Sequence, residues 1–152
     1  MNKNNSVKIS IMSPDNLKEI KDLLSSEFDE FWDYTTLKEE LSSPFSKYII
    51  ARTQDDTIAG FAGIKIVLDE ADLMNIVTRK NMRHLGIASS MLDCLISMCK
   101  EDNIRLLNLE VNAKNTIAIN LYKKYNFKEV GLRKKYYDNT YDAILMSLSI
   151  WN

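Results

Sequence analysis

The sequence predicts an α/β layered domain around a mixed sheet, and three observations carry that expectation. Strand-like alternation and helix-like four-residue spacing take turns along the whole 152-residue chain. Three apolar runs between Tyr48 and Thr78 are joined by turns too short for crossovers, which makes them an antiparallel meander. No repeat, linker or shift in composition divides the chain, so a single domain over residues 1–152 is expected.

Val7-Lys8-Ile9-Ser10-Ile11 alternates and reads as the first strand. Ser13-Pro14-Asp15 then starts a helix, with a hydroxyl N-cap, proline at the first position and an acid in the first turn. Leu17, Ile20, Leu23 and Leu24 give it an apolar face. Phe28, Phe31, Trp32 and Tyr34 form an irregular, aromatic-rich connection, and Phe28, Phe31 and Trp32, with Tyr136 and Tyr137, either line a peptide groove or pack in the core. Thr36-Leu37-Lys38-Glu39 has capping-box spacing and opens a short second helix to Leu41, which Ser42-Ser43-Pro44 ends.

Strands follow at Tyr48–Ala51, at Ile58–Leu68 and at Leu73–Thr78, turned by Asp55-Asp56 and Asp69-Glu70. A basic loop from Arg79 to Leu85 leads through Gly86 into a helix on which Ile87, Met91, Leu95 and Cys99 recur every four residues. Ile104 to Val111 is a strand and Asn115 to Tyr125 a helix, with Ala118, Leu121, Tyr122 and Tyr125 on one side. Asn126 stands where a left-handed C-cap is expected. Phe127–Tyr137 and Tyr141–Ile150 close the chain as a strand pair around Asp138-Asn139-Thr140.

Composition excludes several classes of function. Twenty basic and 21 acidic residues leave a net charge of −1, which argues against binding nucleic acid by phosphate neutralisation. No apolar run is long enough for a membrane span, and the polar start Met1-Asn2-Lys3-Asn4-Asn5-Ser6 predicts no secretory signal and a cytoplasmic protein. Cys94 and Cys99 lack metal-site spacing and read as two buried thiols. His84 is the single histidine, so neither a zinc site nor a serine or cysteine nucleophile with its histidine base is expected.

Three places can carry chemistry. Arg83-His84-Leu85-Gly86-Ile87-Ala88 joins a strand to a helix start, where glycine admits a ligand and unpaired N–H groups attract an anion. Arg79, Lys80 and Arg83 add charge on the approach; the same residues also fit a plain solvated loop. In Leu106–Asn112, alternation puts Leu107, Leu109 and Val111 on one face and Asn108, Glu110 and Asn112 on the other. Glu110 is there either a general base or a solvated side chain. Asn115 is a natural N-cap, and Tyr122 two turns on is either a proton donor or a core ring.

Together, in this order and spacing, these segments resemble the GCN5-related N-acetyltransferase (GNAT) family. Arg83-His84-Leu85-Gly86-Ile87-Ala88 is similar to its Q/R-x-x-G-x-G/A pyrophosphate loop. Leu109-Glu110-Val111, Asn115, Ala118-Ile119, Leu121-Tyr122 and Phe127 resemble the LEV…N…AI…LY…GF run of the ribosomal-protein-alanine N-acetyltransferase branch. Arg133-Lys134-Lys135-Tyr136-Tyr137 and Asp142-Ala143-Ile144-Leu145-Met146 resemble its R-x-x-YY…DA-x-x-M ending. Trp32 and Thr36-Leu37-Lys38-Glu39-Glu40-Leu41 are similar to its substrate-side segment. Asn112 replaces the branch's arginine, Asn126 its glycine, Phe31 its proline and Arg83 its commoner glutamine.

The resemblance implies a mostly antiparallel sheet of about seven strands flanked by four helices. It implies an acetyl-CoA-dependent enzyme that needs no metal and acetylates the N-terminal alanine of the eighteenth small-subunit ribosomal protein. Ile76, Val77 and Thr78 would hold the acetyl group and pantetheine arm through their backbone. Arg83, His84, Leu85, Gly86, Ile87, Ala88 and Ser89 would cradle the pyrophosphate, and Asn115 would touch the coenzyme. Glu110 would be the base, Tyr122 the acid, and Trp32, Tyr136 and Tyr137 would meet the acceptor. No nucleic-acid or membrane partner is implied, and the oligomeric state stays open, with a monomer sufficient. Other N-termini, lysines, a small amine, or coenzyme binding without catalysis are the alternatives.

Overall fold

The computed structural model describes residues 7–28, 33–137 and 141–151. Its elements follow the expected order: β1 (Lys8–Ile11), α1 (Pro14–Glu19), α2 (Tyr34–Ser42), β2 (Ser46–Arg52), β3 (Ile58–Val67), β4 (Glu70–Thr78), α3 (Ile87–Glu101), β5 (Leu106–Asn112), α4 (Thr116–Lys124), β6 (Lys128–Tyr137) and β7 (Tyr141–Ser149). One sheet holds all seven strands in the order β1-β2-β3-β4-β5-β7-β6. Only β4 and β5 run parallel, because α3 carries the chain across between them. The mixed, mostly antiparallel sheet with four α-helices agrees with the expected fold class.

Two cores cover the two faces. Ile87, Met91, Leu92, Leu95 and Cys99 of α3 pack with Ile119 and Tyr122 of α4 against Leu107, Leu109 and Val111 of β5. On the opposite face, Leu17, Ile20 and Leu24 join Leu37 of α2 over Tyr48, Ile50 and Phe61. Phe28 belongs to this second core, fully buried with its ring centroid 5.8 Å from that of Phe61. Of its two expected roles it takes the structural one.

β4 begins at Glu70, three residues before the expected Leu73, and two helix boundaries also differ from expectation. α1 keeps its predicted start, where Ser13 and Asn16 form a reciprocal cap behind Pro14, but it stops at Ile20 and gives way to a 3-10 turn over Lys21–Leu23. α2 starts earlier than the Thr36-Leu37-Lys38-Glu39 spacing predicts. Asp33 is its N-cap, accepting from the Thr36 N–H at 2.9 Å, and this bond holds the Asp33 carboxyl below its usual range. At the end of α4 the prediction stands: Asn126 adopts φ 73°.

Candidate active site

β4 and β5 pair for only three residues, Glu70 with Leu106, Ala71 with Leu107 and Asp72 with Asn108. Past Asp72 they part. The partner register explains why: Ile64 of β3 faces Leu73 and Gly63 faces Asn75, so Met74 is an extra, bulged residue that bends β4 away. The parting leaves a cleft of about 280 Å³, lined by Leu73–Ile76 of β4, Leu109–Asn112 of β5, and Asn115, Ala118 and Tyr122 beside α4. Over this stretch β4 has no ladder partner on its β5 side, so part of its backbone faces the cleft instead of a strand.

The cleft passes between the two faces of the sheet. Leu107, Leu109 and Val111 are buried toward α3 and α4, which turns Asn108, Glu110 and Asn112 to the other face, as alternation predicts. Tyr122 comes from the helix side, 5% exposed, with its ring centroid 5.6 Å from that of Phe127. Glu110 and Tyr122 therefore reach one cleft from opposite faces. Glu110 is exposed, and the Arg133 guanidinium of β6 donates to its Oε2 at 2.9 Å. Asn112 supplies no charge, but its Oδ1 accepts the Lys114 N–H at 2.8 Å and turns the chain toward α4. Asn115 then caps that helix by accepting from Ala118 N–H at 3.2 Å.

Asn75 stands on the β4 wall of the cleft. The Tyr48 hydroxyl donates to its Oδ1 at 2.5 Å across the intervening strand. Gly63 lies between them, and a Cβ there would come within 2.3 Å of the Tyr48 ring, so this position needs glycine for a close approach.

Past the end of β4, His84 and Gly86 both adopt left-handed backbone, φ 68° and 82°, at the entrance to α3. Gly86 offers this 15-residue helix no side-chain cap, which leaves its first N–H groups to attract an anion. The residues present fit the diphosphate of a coenzyme in the donor chemistry they offer. Tyr125 donates its hydroxyl to the Ser89 carbonyl at 3.1 Å, and burial pushes that phenol up. Arg79 departs from its expected part in the basic approach. Its Nη1 is 2.7 Å from Glu27 Oε1, its Nε donates to the Ile58 carbonyl, and its guanidinium lies over Phe28.

Of the predicted site residues, Ile76, Glu110, Asn115 and Tyr122 come together on the cleft. Val77 and Thr78 continue β4 beyond it, and Arg83–Ser89 form the neighbouring loop and helix start. Trp32 lies outside the described residues, as do the side chains of Tyr136 and Tyr137. Sequence reasoning missed Asn75, for which an asparagine inside an apolar strand was the available signal, and Met74, for which there was none. A larger recess of about 570 Å³, between β1, β2 and the end of α3, touches none of the candidate catalytic residues. Burial pushes the Cys94 thiol up and the Cys99 thiol up to about 11, so neither is a ready nucleophile. Among the described residues no helix is long and apolar enough to cross a membrane, and no cluster of potential metal ligands occurs.

A sheet opened between two parallel strands, followed in the chain by a helix start with free N–H groups, suits an extended ligand that carries a phosphate group. The chain belongs to the acetyltransferase (GNAT) family, whose model matches residues 17–127, and it is an N-acetyltransferase. Acetyltransferases of this family use acetyl-CoA. A Bacillus subtilis (strain 168) protein named as a candidate ribosomal protein bS18-alanine N-acetyltransferase is 32% identical over 141 residues, 91% of this chain and 93% of its own. The Escherichia coli (strain K12) ribosomal protein bS18-alanine N-acetyltransferase is 39% identical over 101 residues, 64% of this chain and 68% of its own. The crystal structure of the ribosomal-protein-S18-alanine N-acetyltransferase from Escherichia coli superposes with a TM-score of 0.87 at 30% identity, covering 95% of this chain and 94% of that one.

Proposed function

We propose that this chain transfers the acetyl group of acetyl-CoA to the N-terminal alanine amine of ribosomal protein bS18, in the cytoplasm. The observation that carries the reaction is the convergence of Glu110 and Tyr122 on one cleft from opposite faces of the sheet. The choice of acceptor follows the alanine N-acetyltransferases to which the chain is similar.

Coenzyme and acceptor then approach from different sides. The N–H groups at the start of α3, with the loop from Arg83 to Ser89, bind the pyrophosphate. The unpaired side of β4 at Ile76–Thr78 lies along the pantetheine arm, and one of its N–H groups steadies the oxyanion at the thioester carbon, a contribution of about 3 kcal/mol. Asn115 borders the coenzyme side. Glu110 takes the proton as the amine adds to the carbonyl carbon, directly or through one water. The hydroxyl of Tyr122 gives its hydrogen bond or proton to the departing sulfur. Trp32, Tyr136 and Tyr137 serve the acceptor side.

One glutamate meets the demand of this acceptor. An α-amino group has a reference pKa of about 7.7–8.0, so a useful fraction is neutral near pH 7, whereas lysine at about 10.4 is almost fully charged. No covalent enzyme intermediate is required, consistent with the raised thiols of Cys94 and Cys99.

Release of free thiol from acetyl-CoA tests the reading. The assay compares a short peptide copying the bS18 N-terminus with its N-blocked twin and with a peptide whose only amine is lysine. Turnover of the free-amine peptide alone is expected. Turnover only of the lysine peptide, or of small amines, would reassign the acceptor, and coenzyme binding with no turnover of any amine would remove catalysis.

A further inference from the structure

We propose that Arg133 is a positioning residue for Glu110: it holds one carboxylate oxygen and leaves the other to face the acceptor amine. The proposal rests on the reading of Glu110 as the base.

Arg133 reaches Glu110 from two strands away. β7 lies between β5 and β6, with Ala143 paired to Asn112 on one side and to Arg133 on the other, and Leu145 paired to Glu110 and to Gly131. Directly paired residues share a face, so Glu110, Ala143 and Arg133 all stand on the side of the sheet opposite α3 and α4. Ala143, on the intervening strand, carries only a methyl, and Nη2 of Arg133 comes 2.9 Å from Glu110 Oε2.

That placement depends on an irregularity in β6. Glu129 faces Met146 and Gly131 faces Leu145, so Val130 is one residue too many. Without the extra residue, Leu132 would occupy the position opposite Ala143 and Arg133 would turn to the other face. Gly131 lets the bulged strand come close; a Cβ there would sit 3.0 Å from Leu145 Cδ1. Bulges commonly re-aim a side chain near a site, and this one aims a guanidinium at the carboxylate on the cleft.

The pair is poorly suited to a structural task. Both side chains are substantially exposed, 51% for Arg133 and 36% for Glu110, and such pairs add little to folding stability. The contact is one-sided: Oε2 is taken, while Oε1 accepts no hydrogen bond among the described residues. A carboxylate free to rotate would present its oxygens in many directions, whereas one held at Oε2 keeps Oε1 in a fixed place. As the amine nitrogen bonds to the acetyl carbon and the carbon–sulfur bond breaks toward sulfur, the amine proton passes to Oε1.

The test uses the full chain with acetyl-CoA and the bS18 peptide, on wild type, Arg133→Ala, Arg133→Lys, Glu110→Gln and the Arg133→Ala/Glu110→Gln double variant. Arg133→Ala should lower kcat about ten- to a hundredfold, with acetyl-CoA affinity and thermal midpoint unchanged. Arg133→Lys should recover part of that loss. In the Glu110→Gln background, removal of Arg133 should cost nothing further in residual turnover measured at high pH. An unchanged kcat in Arg133→Ala would overturn the proposal, as would a loss that adds in full to that of Glu110→Gln or that lies in acetyl-CoA binding. Full activity of Glu110→Gln would instead remove the base assignment itself.

Discussion

The same two strands behave in opposite ways at their two ends. At Glu70–Asp72, β4 and β5 are zipped in register, and side chains fasten the seam. Arg105 reaches both Asp69 and Glu70, Asn108 donates to Glu70 Oε1 at 3.0 Å, and Ser147 donates to Asn108 from β7. At Leu73–Thr78 no ladder joins them, and the polar side chains on the cleft bond away from it, Asn75 to Tyr48 and Glu110 to Arg133. A cleft between parallel neighbours therefore needs two devices: a bulge to part the strands and a tied end to keep the parting local.

The largest effect belongs to the open end. Glu110→Gln, nearly isosteric, should lower peptide turnover by about 10²–10⁴-fold while isothermal titration shows acetyl-CoA binding intact; unchanged turnover would sink the base assignment. Deleting Met74 removes the bulge yet leaves Leu73 and Asn75 on their present faces, letting β4 run straight beside β5. Turnover should then fall by about 10²–10³-fold as the backbone donors are lost, with the far-ultraviolet circular dichroism of the fold retained. Gly63→Ala drives a Cβ into the Tyr48 ring and should cost about 1–3 kcal/mol in a urea melt, along with some of the hold on Asn75.

The closed end should respond weakly. Glu70→Ala strips an exposed ion pair and a part-buried hydrogen bond and should lower stability by about 1 kcal/mol, with turnover nearly unchanged; a large activity loss would mean that the seam sets the width of the cleft. Smallest is a pH effect next to that seam, where Cys99 lies in the last turn of α3 and its carbonyl accepts from the Ile104 N–H. Its folded-state pKa, pushed up to about 11 by burial, exceeds the ordinary 9.0. Its contribution is fully present below pH 9 and lost as pH rises toward 11. The stability difference between wild type and Cys99→Ala should shrink across that window.

What was legible in the sequence was local. The period-2 alternation of β5 gave the faces of Leu109 and Glu110, the four-residue spacing of α3 gave its buried stripe, and Asn115 and Ser13 marked helix starts by their capping chemistry. The non-local features were not. Nothing around Met74 announces a bulge, because the extra residue exists only relative to β3. Arg133 meets Glu110 through a second bulge and an intervening strand, and Arg79 looks like one more basic loop residue until Glu27 is brought beside it. The Asp33 cap was missed because Thr36 offered a competing signal three residues later.

The alternation of β5 also acts as quality control. A slip of one residue would send Leu109 and Val111, 5% and 6% exposed, to the open face and force the Glu110 carboxylate into the apolar core against α3. Burying an unpaired charge there costs far more than a marginally stable domain can absorb. A misregistered chain is thus an unfolded chain, removed by proteolysis instead of persisting as an inactive enzyme that still occupies coenzyme.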